Sequence, residues 1–113
     1  MSTSLPFGPP IFSQIDNDAD MAELIVMFVE EMPARAALIE QSFSGKEWKN
    51  LANEAHKLRG SAGGHGFSKL GKIAGALEDV VRDAAGLEEA RVQEIRSQVE
   101  QLTSYCRRVA VRK

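Results

Sequence analysis

Few side chains in this 113-residue chain can act as nucleophiles near neutral pH: His56, His65 and the single cysteine, Cys106. Cys106 falls in an apolar stripe at helical spacing, with Val92, Ile95, Val99, Leu102 and Val109, so a packed and unreactive thiol is expected there. Two histidines among scattered acids lack the clustered spacing of a metal site, and no metal is expected. His56 stands in surroundings that invite chemistry.

Trp48, Leu51, Ala55, Leu58 and Ala62 recur every three or four residues and mark the core-facing side of one helix. At about 100° per residue, His56 lies about 130° from the centre of that stripe and faces mostly solvent. Its neighbours on the same helix face are Ala52, Asn53, Arg59 and Gly60, with Gly63 one turn further on. The imidazole thus stands above a nearly bare backbone with a fixed positive charge one turn away. A glycine inside a helix costs about 1 kcal/mol relative to alanine. At Gly60 either the close approach of a partner's backbone or close helix packing would offset that. An ordinary surface histidine would sit at the same angle.

The elements that must position this face are helical. Residues 1–15 hold Pro6, Gly8, Pro9 and Pro10 and read as an extended arm, with Leu5, Phe7, Ile11, Phe12 and Ile15 giving it apolar weight. The arm either lies across the helices or links to something else. From Asp18 or Asp20, suited to cap a first turn, Met21, Ile25, Phe28, Met32, Ala36, Ile39 and Phe43 trace one buried helical face. Pro33 inside this run predicts a kink or break near Met32, and Gly45 closes the segment. The second helix starts near Lys46 and ends in Gly63-Gly64-His65-Gly66. Ser68 is suited to cap a third, with Leu70, Ile73, Leu77, Val80 and Ala84 on its stripe. Gly86 separates it from a last helix running through Val109. No segment alternates with period two, so no sheet is expected. Short connections predict an all-α fold: an antiparallel up-and-down four-helix bundle over residues 16–113, preceded by the Pro-rich arm of residues 1–15.

Composition narrows the function. A formal net charge of −2 argues against non-specific nucleic-acid binding, which needs a dense basic face. No apolar run approaches the about 20 residues of a membrane span, and the N-terminus lacks the pattern of a secretory signal. A cytoplasmic location is expected, in keeping with a lone cysteine that has no internal partner.

The run Ala55-His56-Lys57-Leu58-Arg59-Gly60-Ser61-Ala62-Gly63-Gly64-His65-Gly66-Phe67, followed by Leu70, resembles the signature of histidine-containing phosphotransfer domains. That pattern is His-x-Leu-Lys-Gly-Ser, then small residues, a glycine and a leucine, on the second long helix of a four-helix bundle. The Gly66-Phe67 pair is also similar to the phosphotransfer domain of chemotaxis histidine kinases. The resemblance implies that His56 is phosphorylated, that Arg59 takes the place of the family's lysine, and that Gly60 gives the partner clearance. It also implies that Glu78, on the third helix, accepts a hydrogen bond from Nδ1–H of His56 and leaves Nε2 free to attack phosphorus. A solvated Glu78 paired with Lys72 or Arg82 is the competing reading. Arginine at 59 keeps the charge but offers a planar fork in place of a point charge.

The implied partners are response-regulator receiver domains and possible histidine kinases, met by a monomer. The expected contact surface comprises Lys49, Ala52, Asn53, Lys57, Gly63, Gly64, His65 and Lys69, with the lysines and Arg59 steering toward an acidic pocket. His65 lies beyond the glycine break, as a surface loop residue or part of that surface. The chain lacks a GxxxxGK[ST] loop and a carboxylate cluster beside His56, so no cofactor of its own is expected and Mg²⁺ would come on the receiver. Two alternatives stand. The chain is the phosphate-accepting domain of a chemotaxis-type or hybrid kinase fed from ATP by a separate core, or it is a helical docking module without phosphate chemistry.

Overall fold

The computed structural model describes residues 8–83 and 88–111. Leu5, Pro6, Phe7, Ala84 and Gly86 lie outside the described residues. Asp18 accepts a hydrogen bond from the Asp20 amide at 3.0 Å and caps a single 3-10 turn, Ala19–Met21. That turn leads into α1, Ala22–Ser44, whose buried face is Ile25, Phe28, Met32, Ala36, Ile39 and Ser42. Of the kink or break expected near Met32, the break does not occur: α1 runs through Pro33 as one helix. Pro33 is exposed, so its missing amide donor weakens the helix on the solvent side while Phe28, Met32 and Ala36 hold the other.

Gly45 closes α1 as expected, at a φ of −83°, and the left-handed φ of 55° falls on the next residue, Lys46. The second helix, α2, is Trp48–Gly64 and buries Leu51, Ala52, Ala55, Leu58 and Ala62. It ends in a Schellman motif: the Phe67 amide donates to the Ala62 carbonyl at 2.9 Å and the Gly66 amide to that of Gly63 at 3.1 Å. Gly66 sits at φ +84°, and a side chain there would collide with Ser13 and Ile15. Only glycine fits both demands.

The third helix, α3, is Ser68–Asp83 and buries Leu70, Gly71, Ala74, Gly75, Leu77, Glu78 and Val81. Ile73 and Val80, expected on its apolar stripe, are only half-buried. The buried arc turns toward α2 because small residues on both helices let the backbones close in: a Cβ on Gly71 would lie 3.4 Å from the Arg59 carbonyl oxygen. Helix α4, Glu89–Arg108, buries Ile95, Val99, Leu102, Thr103 and Cys106. The expected absence of sheet is corrected by two short strands, β1 (Ile11–Phe12) and β2 (Val109–Ala110), paired in parallel as Ile11 with Val109 and Phe12 with Ala110. Two residues are too few for alternation to show in the sequence. Val109 keeps its burial but leaves the helix to make this pair.

Four helices surround one core, with α2 packed most extensively against α3. Partners across α2 and α3 run in opposite orders, Asn53 with Arg82, His56 with Glu78, and Gly63 with Gly71. The same holds for Phe28 with His65, Arg35 with Glu54 and Phe43 with Trp48 across α1 and α2. Residues preceding α1 are tied to this body. The Gln14 amide donates to the Gly66 carbonyl at 2.8 Å, the Ser13 hydroxyl to the His65 carbonyl at 2.7 Å, and Arg108 Nε to the Pro9 carbonyl at 2.9 Å. Ile11 and Ile15 pack against the core.

Candidate functional site

His56 projects from the middle of α2 with its side chain 67% exposed. The core stripe of Leu51, Ala55, Leu58 and Ala62 points the opposite side of the helix inward and leaves the ring in water. Across the seam, α3 presents Glu78, whose residue is only 5% exposed. The Nδ1 atom of His56 lies 3.0 Å from Oε2 and 3.2 Å from Oε1 of this carboxylate. A carboxylate accepts, so the geometry assigns the proton to Nδ1 and leaves Nε2 with its lone pair.

Glu78 is held by more than the histidine. Arg82 Nε donates to Oε2 at 2.8 Å, and Arg59 Nη1 reaches Oε1 at 3.3 Å while also contacting Asp79 Oδ1 at 3.3 Å. The Arg82 guanidinium, more than any other group, keeps the Glu78 carboxyl below the usual glutamate range, against burial, which pushes it up, and with further help from His56 and Arg59. Glu78 therefore meets His56 and pairs with Arg82 at once, but it is buried where the competing reading had it solvated.

The backbone beside His56 is bare. A Cβ placed on Gly60, Gly63 or Gly64 would meet nothing within 4 Å, which rules out close helix packing as the reason for Gly60. Gly71 and Gly75 of α3 extend the open floor into a groove of about 490 Å³ walled by Arg59, Lys72 and Asp79. At Gly75 a side chain would crowd Arg59 Nε at 3.1 Å, so this glycine is what lets Arg59 lie across α3.

The other expected contact residues divide. Asn53, Lys49, Lys57 and Lys69 are exposed, with Lys57 paired to Glu54 at 3.1 Å. Ala52 is corrected: at 2% exposure it belongs to the core, because α2 is flanked by both α1 and α3 and buries a wider arc than its stripe alone. The His65 ring stacks on Phe28 at 4.6 Å and its Nδ1 lies 2.7 Å from the Ser61 carbonyl oxygen. That histidine fastens the end of α2 to α1 and stands apart from the His56 cluster. Cys106 is 1% exposed and burial pushes its thiol up to about 12, which makes it unreactive. Among the described residues, no group of three or more His, Cys, Asp or Glu could hold a metal ion, and no helix is long and apolar enough to cross a membrane.

Sequence reasoning missed Arg82, Asp79 and Gly75 as parts of the site. Arg82 carried a readable signal, four residues after Glu78 on one helix face. Gly75 gave none, because its value depends on a side chain from another helix.

The architecture is helical, with a displayed histidine braced by a buried acid on the neighbouring helix. The family model described as "Hpt domain" matches residues 23–107, and the chain belongs to that family, which performs histidine phosphotransfer in two-component signalling. No curated protein and no solved structure matches the chain.

Proposed function

We propose that His56 receives a phosphoryl group from the aspartyl phosphate of one response-regulator receiver domain and passes it to the aspartate of another. The observation that carries this reading is the exposed ring with its Nδ1 turned to a buried carboxylate. Nε2 attacks phosphorus, the N–P bond forms as the acyl phosphate P–O bond breaks, and the receiver's aspartate leaves as a carboxylate. The proton stays on Nδ1, and the positive charge that develops on the ring meets Glu78. The reverse step restores the neutral ring.

Arg59 supplies a cation beside the transferring group, while Gly60, Gly63 and Gly64 give the receiver's backbone room to approach. Asn53 and the exposed Lys49, Lys57 and Lys69 form the polar margin of the contact surface. The ordered pairs across the helices support an antiparallel up-and-down bundle as the scaffold. Residues 1–15 form its N-terminal arm and 16–113 the phosphotransfer unit. In this reading the chain is a cytoplasmic monomer without a cofactor of its own, and the receiver brings Mg²⁺.

Incubating the chain with a phosphorylated receiver should give an acid-labile, alkali-stable phosphate, and His56→Gln should abolish it. Labelling only by a kinase core with ATP would assign the chain to a kinase instead. Wild-type labelling in His56→Gln would overturn the site.

A further inference from the structure

The bond between His56 and Glu78 is only as directional as the carboxylate that makes it. A glutamate side chain has three rotatable torsions, and its carboxylate can turn either oxygen toward a partner. On one flank of Glu78, Arg59 divides a single nitrogen between Oε1 and Asp79, both at 3.3 Å. On the other, Arg82 makes the shorter contact, 2.8 Å, to Oε2, the oxygen nearest the ring. The same guanidinium reaches back across the helix seam, its Nη2 lying 3.2 Å from Oδ1 of Asn53. Asn53 is three residues before His56 on α2. Arg82 is therefore anchored at two points on two helices, next to the atom that orients the imidazole.

We infer that Arg82 is a positioning residue for phosphoryl transfer at His56: by bridging Glu78 to Asn53 it locks the carboxylate in the rotamer that keeps the ring proton on Nδ1. An ordinary surface ion pair at this spacing would leave the histidine indifferent to its loss. The fork geometry distinguishes the two. One nitrogen serves Glu78 and another serves Asn53, a division that lysine cannot reproduce. The charged groups facing Glu78 are His56 and Arg59 from α2 and Arg82 from its own helix, with Asp79 competing for Arg59.

The inference rests on His56 as the phosphoryl acceptor, and its test keeps the two apart. Phosphoramidate is used as donor, since it needs no docking surface, and the His56 tautomer is read separately by ¹⁵N nuclear magnetic resonance. Arg82→Ala should slow phosphorylation about 10-fold, as expected for loss of one charge-assisted hydrogen bond, and should lower the share of the Nδ1–H tautomer. Asn53→Ala should move both in the same direction by less, and Arg82→Lys should recover part of each. Wild-type rate and tautomer ratio in Arg82→Ala would overturn the inference, whether or not thermal stability falls. If the wild-type chain takes no phosphoryl group, the transfer reading fails, while the tautomer comparison still decides the role of Arg82.

Discussion

Burial ordinarily drives a carboxyl toward its neutral form, and a neutral Glu78 would hold Nδ1–H of His56 far less firmly. Here Arg82, then His56 and Arg59, overcome that burial and keep the group more acidic than a free glutamate. Because the folded carboxyl is more acidic than the unfolded one, the linked stability is complete above the ordinary glutamate value of about 4.3. It is lost as pH falls through that value to the lower folded one. Acid unfolding followed by circular dichroism should show this loss, and Glu78→Gln should flatten that part of the profile. The same substitution should slow phosphorylation of His56 by about 10-fold, the scale of one hydrogen bond to a charged group. An unchanged rate would remove Glu78 from the site. Glu78 itself entered the sequence reading through resemblance, whereas Arg82 was weighed only as its competing partner.

At the scale of the element, α2 is a helix of two halves. Toward the core it offers Leu51, Ala55, Leu58 and Ala62, and toward solvent it offers His56 above Gly60, Gly63 and Gly64. With 3.6 residues per turn, the apolar period alone places the histidine outside, so this much was readable from residue types. Gly60→Gln should fill the open space without touching the core. Transfer from a phosphorylated receiver should fall by about 100-fold or more, the scale of a misplaced approach. Labelling by phosphoramidate should stay near wild type, and the melting temperature should hold or rise, since glutamine favours a helix over glycine. Equal transfer by Gly60→Gln and wild type would sink the clearance argument. Ala52 shows the limit of the wheel, which locates one stripe but not the second neighbour that widens the buried arc.

For the molecule as a whole, the residues before α1 matter more than their proline content suggested. Ser13 and Gln14 bond to the backbone of His65 and Gly66, and Ile11 pairs with Val109 while packing on the core beside Ile15. These contacts cover the turn that ends α2, the turn that fixes where His65 and Phe67 stack on Phe28. Removing residues 1–15 should cost about 2 kcal/mol in lost hydrogen bonds and apolar burial. Thermal unfolding should then shift down by about 8–16 °C in a domain of this size. Phosphoramidate labelling of His56 should persist in the truncated chain at temperatures where it stays folded. An unshifted melting curve would show that the segment does not stabilise the bundle.

Helical periodicity, the glycine run after His56 and the side to which His56 points follow from local chemistry, because each depends on residues within a few turns of one another. The signature around His56 carried the family with it for the same reason. The Glu78 clamp, the left-handed turn at Lys46, the uninterrupted helix through Pro33 and the pairing of Ile11 with Val109 were decided only in three dimensions. Each joins distant segments or balances a local cost against packing, and no window of sequence contains both sides of that balance. Gly75 makes the point most simply: it is a plain helix glycine until Arg59, 16 positions earlier, is laid across it.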